Sequence, residues 1–189
     1  YRSTERQKIT VPGDVYLREM RAPEPDSISD LGGRPPLIGE MAVYDITRRS
    51  PPLVLIELDA MEGRWRELTR EEDWRRVWFD HQGRLRLALE QQGRRFRYLH
   101  RAADSKQWIP LDSVVKTAAP LGFTVDPASL LAPRSVPLGF DVGGEIMLIA
   151  SNVGRNTFGL RALNLRSGKL EALEAEHDRF DLIEPTALL

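Results

Sequence analysis

At 189 residues, with 41% hydrophobic and 29% charged side chains, the chain is long enough to bury a real core and has an ordinary globular composition. Its 27 basic and 28 acidic side chains leave a net charge of −1, without the basic surplus by which general nucleic-acid binders displace counterions. There is no cysteine, which excludes disulfides, zinc ribbons and thiol catalysis, and no apolar run approaches the ~20 residues of a membrane helix. Neither nucleic acid nor a membrane is an expected partner. The opening run Tyr1 to Arg6 has no initiator methionine and no signal-peptide core, so it reads as the start of a processed, excised or truncated chain. A soluble protein of either the cytoplasm or the periplasm fits, and the sequence does not choose between them.

In chain order, positions 1–40 read as an irregular N-terminal segment with an edge strand, the stretch from Ala22 to Pro36 being rich in Pro, Gly, Ser and Asp. Strands are expected at Met41–Ile46 and Leu53–Leu58, on either side of the turn-rich Thr47–Pro52. A helical turn or two is expected at Thr69–Trp74. Gly83–Glu90 alternates apolar and polar residues and places Leu85, Leu87 and Leu89 on one face of a strand. A turn at Gln91-Gln92-Gly93 and a resumed alternation at Phe96–His100 make a hairpin. Prolines 120, 127, 133 and 137 break up the stretch from Asp112 to Pro137, read as a long connection with an edge strand at Gly122–Val125. Strands at Gly144–Ala150 and Phe158–Leu165 then flank a turn around Val153–Asn156. The chain reads as all-β.

A repeat organises these strands. Gly63–Leu68, Lys106–Leu111 and Gly168–Leu173 each place a large apolar residue (Trp65, Trp108, Leu170) shortly after a turn, with a leucine three positions on. Trp65 and Trp108 lie 43 positions apart, within the roughly 40–50 residues of a four-stranded propeller blade. Gly83 lies 28 residues before Leu111, and Gly144 lies 29 before Leu173. The expected fold is therefore antiparallel four-stranded blades, about three units of an incomplete β-propeller over 41–189. The units span about 41–72, 73–111 and 136–175, with a long connection at 112–135. The competing architecture is a generic meander in a β-sandwich.

At these residues the sequence resembles the N-terminal propeller of the prolyl oligopeptidase family, which includes acylaminoacyl peptidases and dipeptidyl aminopeptidases. Asp80-His81-Gln82-Gly83-Arg84-Leu85-Arg86 is similar to the Asp-x-x-Gly turn and strand of its blades. Gln107-Trp108-Ile109-Pro110-Leu111 resembles the tryptophan and leucine pair, and Leu163–Leu170 the strand ending in a Ser-Gly-Lys turn. His177–Asp181 looks like the start of a further blade. The resemblance runs from about Leu53 to Asp181. It implies a two-domain serine hydrolase whose propeller gates peptide access to a C-terminal α/β-hydrolase domain carrying a Gly-x-Ser-x-Gly elbow. No Gly-x-Ser-x-Gly occurs in this sequence, so the implied activity would reside in a domain absent here. The implied partners are that hydrolase domain and peptide substrates. An incomplete ring also leaves strand edges open to edge-to-edge self-association. The alternative function is a stand-alone propeller or sandwich module for protein interaction or ligand binding, with no enzymatic activity.

No residue is assigned a catalytic, cofactor-binding or metal-binding role, and no cofactor is expected. His81, His100 and His177 form no His-x-His or His-x₃-His pair. Glu176, His177 and Asp178 read as an exposed turn rather than a cation site. Ser135, Ser151 and Ser167 sit in turn contexts without a strand-to-helix elbow. Gly143-Gly144 and Gly32-Gly33 read as turn glycines and not as a phosphate loop. Trp65 and Trp108 are expected in the core, whereas Trp74 and Trp78 are the candidates for a sugar-stacking platform. Arg75-Arg76 and Arg94-Arg95 read as solvated, and Arg84 and Arg86 are the candidates for gripping a substrate carboxylate.

Overall fold

A computed structural model describes residues 15–21, 37–43, 52–59, 64–118, 120–126 and 134–182. The Gly32-Gly33 pair and the end of the expected strand at positions 44–46 lie outside them. Among the described residues the fold is all-β, built from three open antiparallel sheets, and no sheet there closes on itself. The one helical element among the described residues is a 3₁₀ turn at Leu111–Ser113. No helix there is long and apolar enough to cross a membrane. The chain divides into two compact units, Tyr1–Trp74 and Arg75–Leu189.

The first unit holds a meander of β1 (Val15–Arg21), β2 (Leu37–Val43), β3 (Leu53–Asp59) and β4 (Arg64–Glu71). Thus β1, the edge of this sheet, falls within the segment expected to be mostly irregular, and β2 starts before the Met41 expected to open it. Leu53, Val54, Leu55 and Ile56 are all buried, so both faces of β3 are covered, as a run of consecutive apolar residues requires. The outer strand β4 is charged instead. Arg66 forks onto its cross-strand partner Glu57, with Nε and Nη2 donating at 3.0 and 2.7 Å, and Arg70 forks onto Glu67. Charges along an edge discourage further strand pairing. The helical turn expected at Thr69–Trp74 is absent: Thr69–Glu71 finish β4, Glu72-Asp73 bend, and Trp74 opens the next strand. So short a helix would bear the cost of nucleation for very few bonds, whereas Thr69, Arg70 and Glu71 pair in register with Leu55, Val54 and Leu53.

Two further sheets follow. The second contains β5 (Trp74–Phe79), β6 (Leu85–Gln92), β7 (Arg95–His100), β8 (Ile109–Pro110) and β9 (Thr124–Val125). Its fourth position is split. β8 pairs with Leu99 and His100, while β9 pairs with Phe96 and Arg97. The proline-rich connection therefore returns to complete the sheet. Asp112 ties the two halves, its carboxylate accepting from Phe123 N (3.3 Å) and Thr124 Oγ1 (2.8 Å). The third sheet is a regular meander of β10 (Ser135–Phe140), β11 (Ile146–Ser151), β12 (Gly159–Asn164) and β13 (Leu170–Ala175). Trp65, Trp108 and Leu170 each stand at or next to the beginning of the fourth strand of their own sheet.

The second and third sheets share one core. Trp78, Leu87, Leu89, Tyr98, Leu111 and Phe123 meet Val136, Phe140, Met147, Ile149 and Leu163. Tyr98 packs against Trp78 at 5.7 Å between ring centroids and edge-on against Phe123 at 6.2 Å. Trp108 does not join them. It is half-buried beneath the Arg101 guanidinium, 4.8 Å from the ring centroid, because β8 is only two residues long and the 3₁₀ turn carries Leu111 into the core in its place. The Trp65 side chain lies outside the described residues.

Candidate functional site

Among the described residues, a densely bonded polar cluster lies where the β5–β6 turn of the second sheet meets the β10–β11 turn of the third. Asp80 follows β5 directly, and its side chain is inaccessible to solvent. Oδ1 accepts from the backbone N–H groups of Gln82 (3.1 Å) and Arg84 (2.9 Å). Oδ2 accepts from Arg84 Nε (2.8 Å) and Arg86 Nη1 (3.0 Å). All four acceptor positions of the carboxylate are thereby used. Gly83, at φ 72°, closes the turn by donating its N–H to Asp80 O. Arg86 is buried, donates Nε to Arg101 O at 2.8 Å, and lies over the Phe140 ring at 5.5 Å.

The facing turn is built the same way. Asp141 Oδ1 accepts from Ile146 N (2.9 Å), and Gly144, at φ 70°, donates its N–H to Asp141 O. The two turns touch. His81 Nε2 donates to Phe140 O at 3.0 Å, a carbonyl being able only to accept, and Gln82 Nε2 donates to Val142 O at 2.9 Å. A methyl group on Gly144 would meet Arg86 Nη1 at 3.1 Å and Asp80 Oδ2 at 3.4 Å. Glycine is required there both for its φ and for this close approach. A third turn of this type, between β12 and β13, uses Asn164, whose Oδ1 accepts from Arg166 N and Ser167 N.

This geometry reassigns Arg84 and Arg86. Both are committed to Asp80, and the side chain of Arg86 is only 6% exposed, so neither presents an open fork to a substrate carboxylate. Trp74 and Trp78 are likewise buried, which rules out a sugar platform on their faces. Of the arginines expected to be solvated, Arg94 and Arg95 are exposed, whereas Arg75 and Arg76 are half-buried: Arg75 Nε donates to Gln91 Oε1 and Arg76 lies over the Trp78 ring.

No family model, curated protein or solved structure matches the chain. Ser135 and Ser151 face each other across β10 and β11, fully buried, with their hydroxyls bonded at 2.7 Å. Ser167 Oγ accepts from Lys169 N within the third Asx turn. His177 Nδ1 accepts from the backbone amides of Arg179 and Phe180, and Glu176 is ion-paired with Arg155. The depression of about 590 Å³ at Glu176–Phe180 is lined by consecutive residues of a single loop, so no second element brings converging groups to it. Among the described residues, no three His, Asp or Glu side chains are placed to hold a metal ion.

Sequence reasoning identified Asp80 as a turn residue but missed its hub role, which depends on Arg86 being drawn inward. It also missed His100, a strand-end histidine in the sequence. In the fold it is 4% exposed, with neither ring nitrogen hydrogen-bonded. Burial, and then the Arg86 charge, push its pKa down to about 4.

Proposed function

We propose that this chain is a non-catalytic, blade-built portion of a prolyl-oligopeptidase-like serine hydrolase, gating the access of peptides to a catalytic domain it does not contain. The observation that carries this reading is the turn-on-turn docking of two successive antiparallel sheets, one of five strands and one of four, through His81, Gln82 and the Asp80–Arg86 cluster. Blades of a propeller need such a contact, since each must pack on its neighbour through equivalent strands. The family likeness of Asp80–Arg86 and Leu163–Leu170 supports the hydrolase half of the proposal. The role is one of exclusion and positioning: the hub residues are used up in holding sheets together, and bond-breaking is left to an α/β-hydrolase partner.

The test is to read the coding sequence beyond Leu189 and to treat the complete protein with a fluorophosphonate probe. A Gly-x-Ser-x-Gly in the following few hundred codons, with labelling lost when that serine becomes alanine, is the expected result. A stop codon shortly after Leu189, with no labelling, would replace the proposal with the stand-alone interaction module.

A further inference from the structure

We propose that His100 makes the outer edge of the second sheet an acid-operated latch: a proton taken up by its ring releases β8 and the loop before it from β7. The site has the parts such a latch needs. His100 ends β7 and sits opposite Leu87 on one side and Ile109 of β8 on the other. Its ring is buried and both nitrogens lack partners, so the neutral ring already tolerates an unsatisfied N–H and an imidazolium would leave two.

Among the described residues, no carboxylate is bonded to the ring to receive that charge. From β6 comes the Arg86 guanidinium, and next in the chain is Arg101, both of the same sign as the imidazolium. Asp80, behind Arg86, has its acceptor positions occupied. Asp112 is engaged by Phe123 and Thr124, and Asp104 and Lys106 of the loop are exposed. Lowering the charge cost therefore requires water, and in the proposed latch β8, whose Ile109 stands beside His100 in register, is the strand that leaves to admit it. β8 is held by only two register pairs, one of which contains Pro110, which has no N–H to donate.

The sign follows from the depressed pKa. The closed edge keeps its full stability above the ordinary histidine value of about 6.5 and loses it as pH falls from there toward 4. Linkage between these two values predicts that the open population rises about 50-fold between pH 7 and pH 4.5.

Hydrogen exchange by mass spectrometry on the full chain, corrected for intrinsic rates, reads this directly. The peptide spanning 102–110 should lose protection by about that factor while β6 keeps its own, and His100→Phe and His100→Gln should remove the pH dependence. Parallel loss in wild type and variants, or simultaneous loss throughout the second sheet, would overturn the latch. Should neither variant fold, the ring resonance of wild-type His100 decides: a midpoint well below 6 in the folded chain supports it, and one at or above 6 overturns it.

Discussion

Asp80→Ala is expected to cost about 3–5 kcal/mol of unfolding free energy in chemical denaturation, the range for breaking a buried ion pair by removing one partner. The substitution strands the buried Arg86 guanidinium and releases the amides of Gln82 and Arg84 together. It thus loosens the turn and its seat on the third sheet at once. Arg84→Ala should cost under about 1 kcal/mol, because that guanidinium is 44% exposed and gains little from its charge. The diagnostic variant is the double substitution Asp80→Asn with Arg86→Met. It removes both buried charges and should be more stable than Asp80→Ala, since a buried pair replaced by groups of similar volume is often neutral. Equal losses in all three would mean that the cluster contributes shape alone.

Gly168→Ala should be far more damaging than Gly154→Ala. Gly168 is at φ 72°, and a methyl there would lie 2.1 Å from the carbonyl oxygen of Val114. Its own carbonyl accepts from Lys116 N at 2.7 Å, so the β12–β13 turn is pressed against the segment that leaves the second sheet. Gly154 provides the control. It has φ 76°, and nothing lies within 4 Å of a methyl placed there, so Gly154→Ala should cost about 1 kcal/mol for the backbone conformation alone. Gly168→Ala adds overpacking against main chain, and about 3 kcal/mol or more is expected from the two effects together. Matching thermal midpoints for the two variants would show that the third sheet can move away from Val114 without penalty.

Strands whose one face is apolar were legible. The alternation of Leu85, Leu87 and Leu89 marked β6, and the resumed pattern at Phe96–His100 marked β7. What alternation could not show is that the opposite face is also covered: Arg86 and Ala88 are as buried as Leu87 and Leu89. Arginine reads as solvent-facing in any single strand, and it takes the Asp80 carboxylate, brought round by a Gly83 turn, together with the Arg101 carbonyl to make an inward position tolerable. The Asp-x-x-Gly turns were visible because their chemistry is local. Their mutual docking was not, since it joins residues about sixty positions apart through backbone carbonyls of Phe140 and Val142 that leave no compositional trace. Trp108 misled for a related reason. Size and repeat position suggested core, but Arg101 provides a cation for its face, and the leucine three residues later takes the interior place. The short polar run at Thr69–Trp74 contained too few apolar residues to declare any period.

The docking of the two turns can be measured without background, because the chain has no native cysteine. Nitroxide labels at Gln82→Cys and Val142→Cys, both exposed positions, should show strong short-range dipolar broadening in the folded chain, and Asp80→Ala should weaken it. Labels that remain uncoupled while the far-ultraviolet spectrum stays that of folded β-structure would place the second and third sheets apart and contradict the blade arrangement.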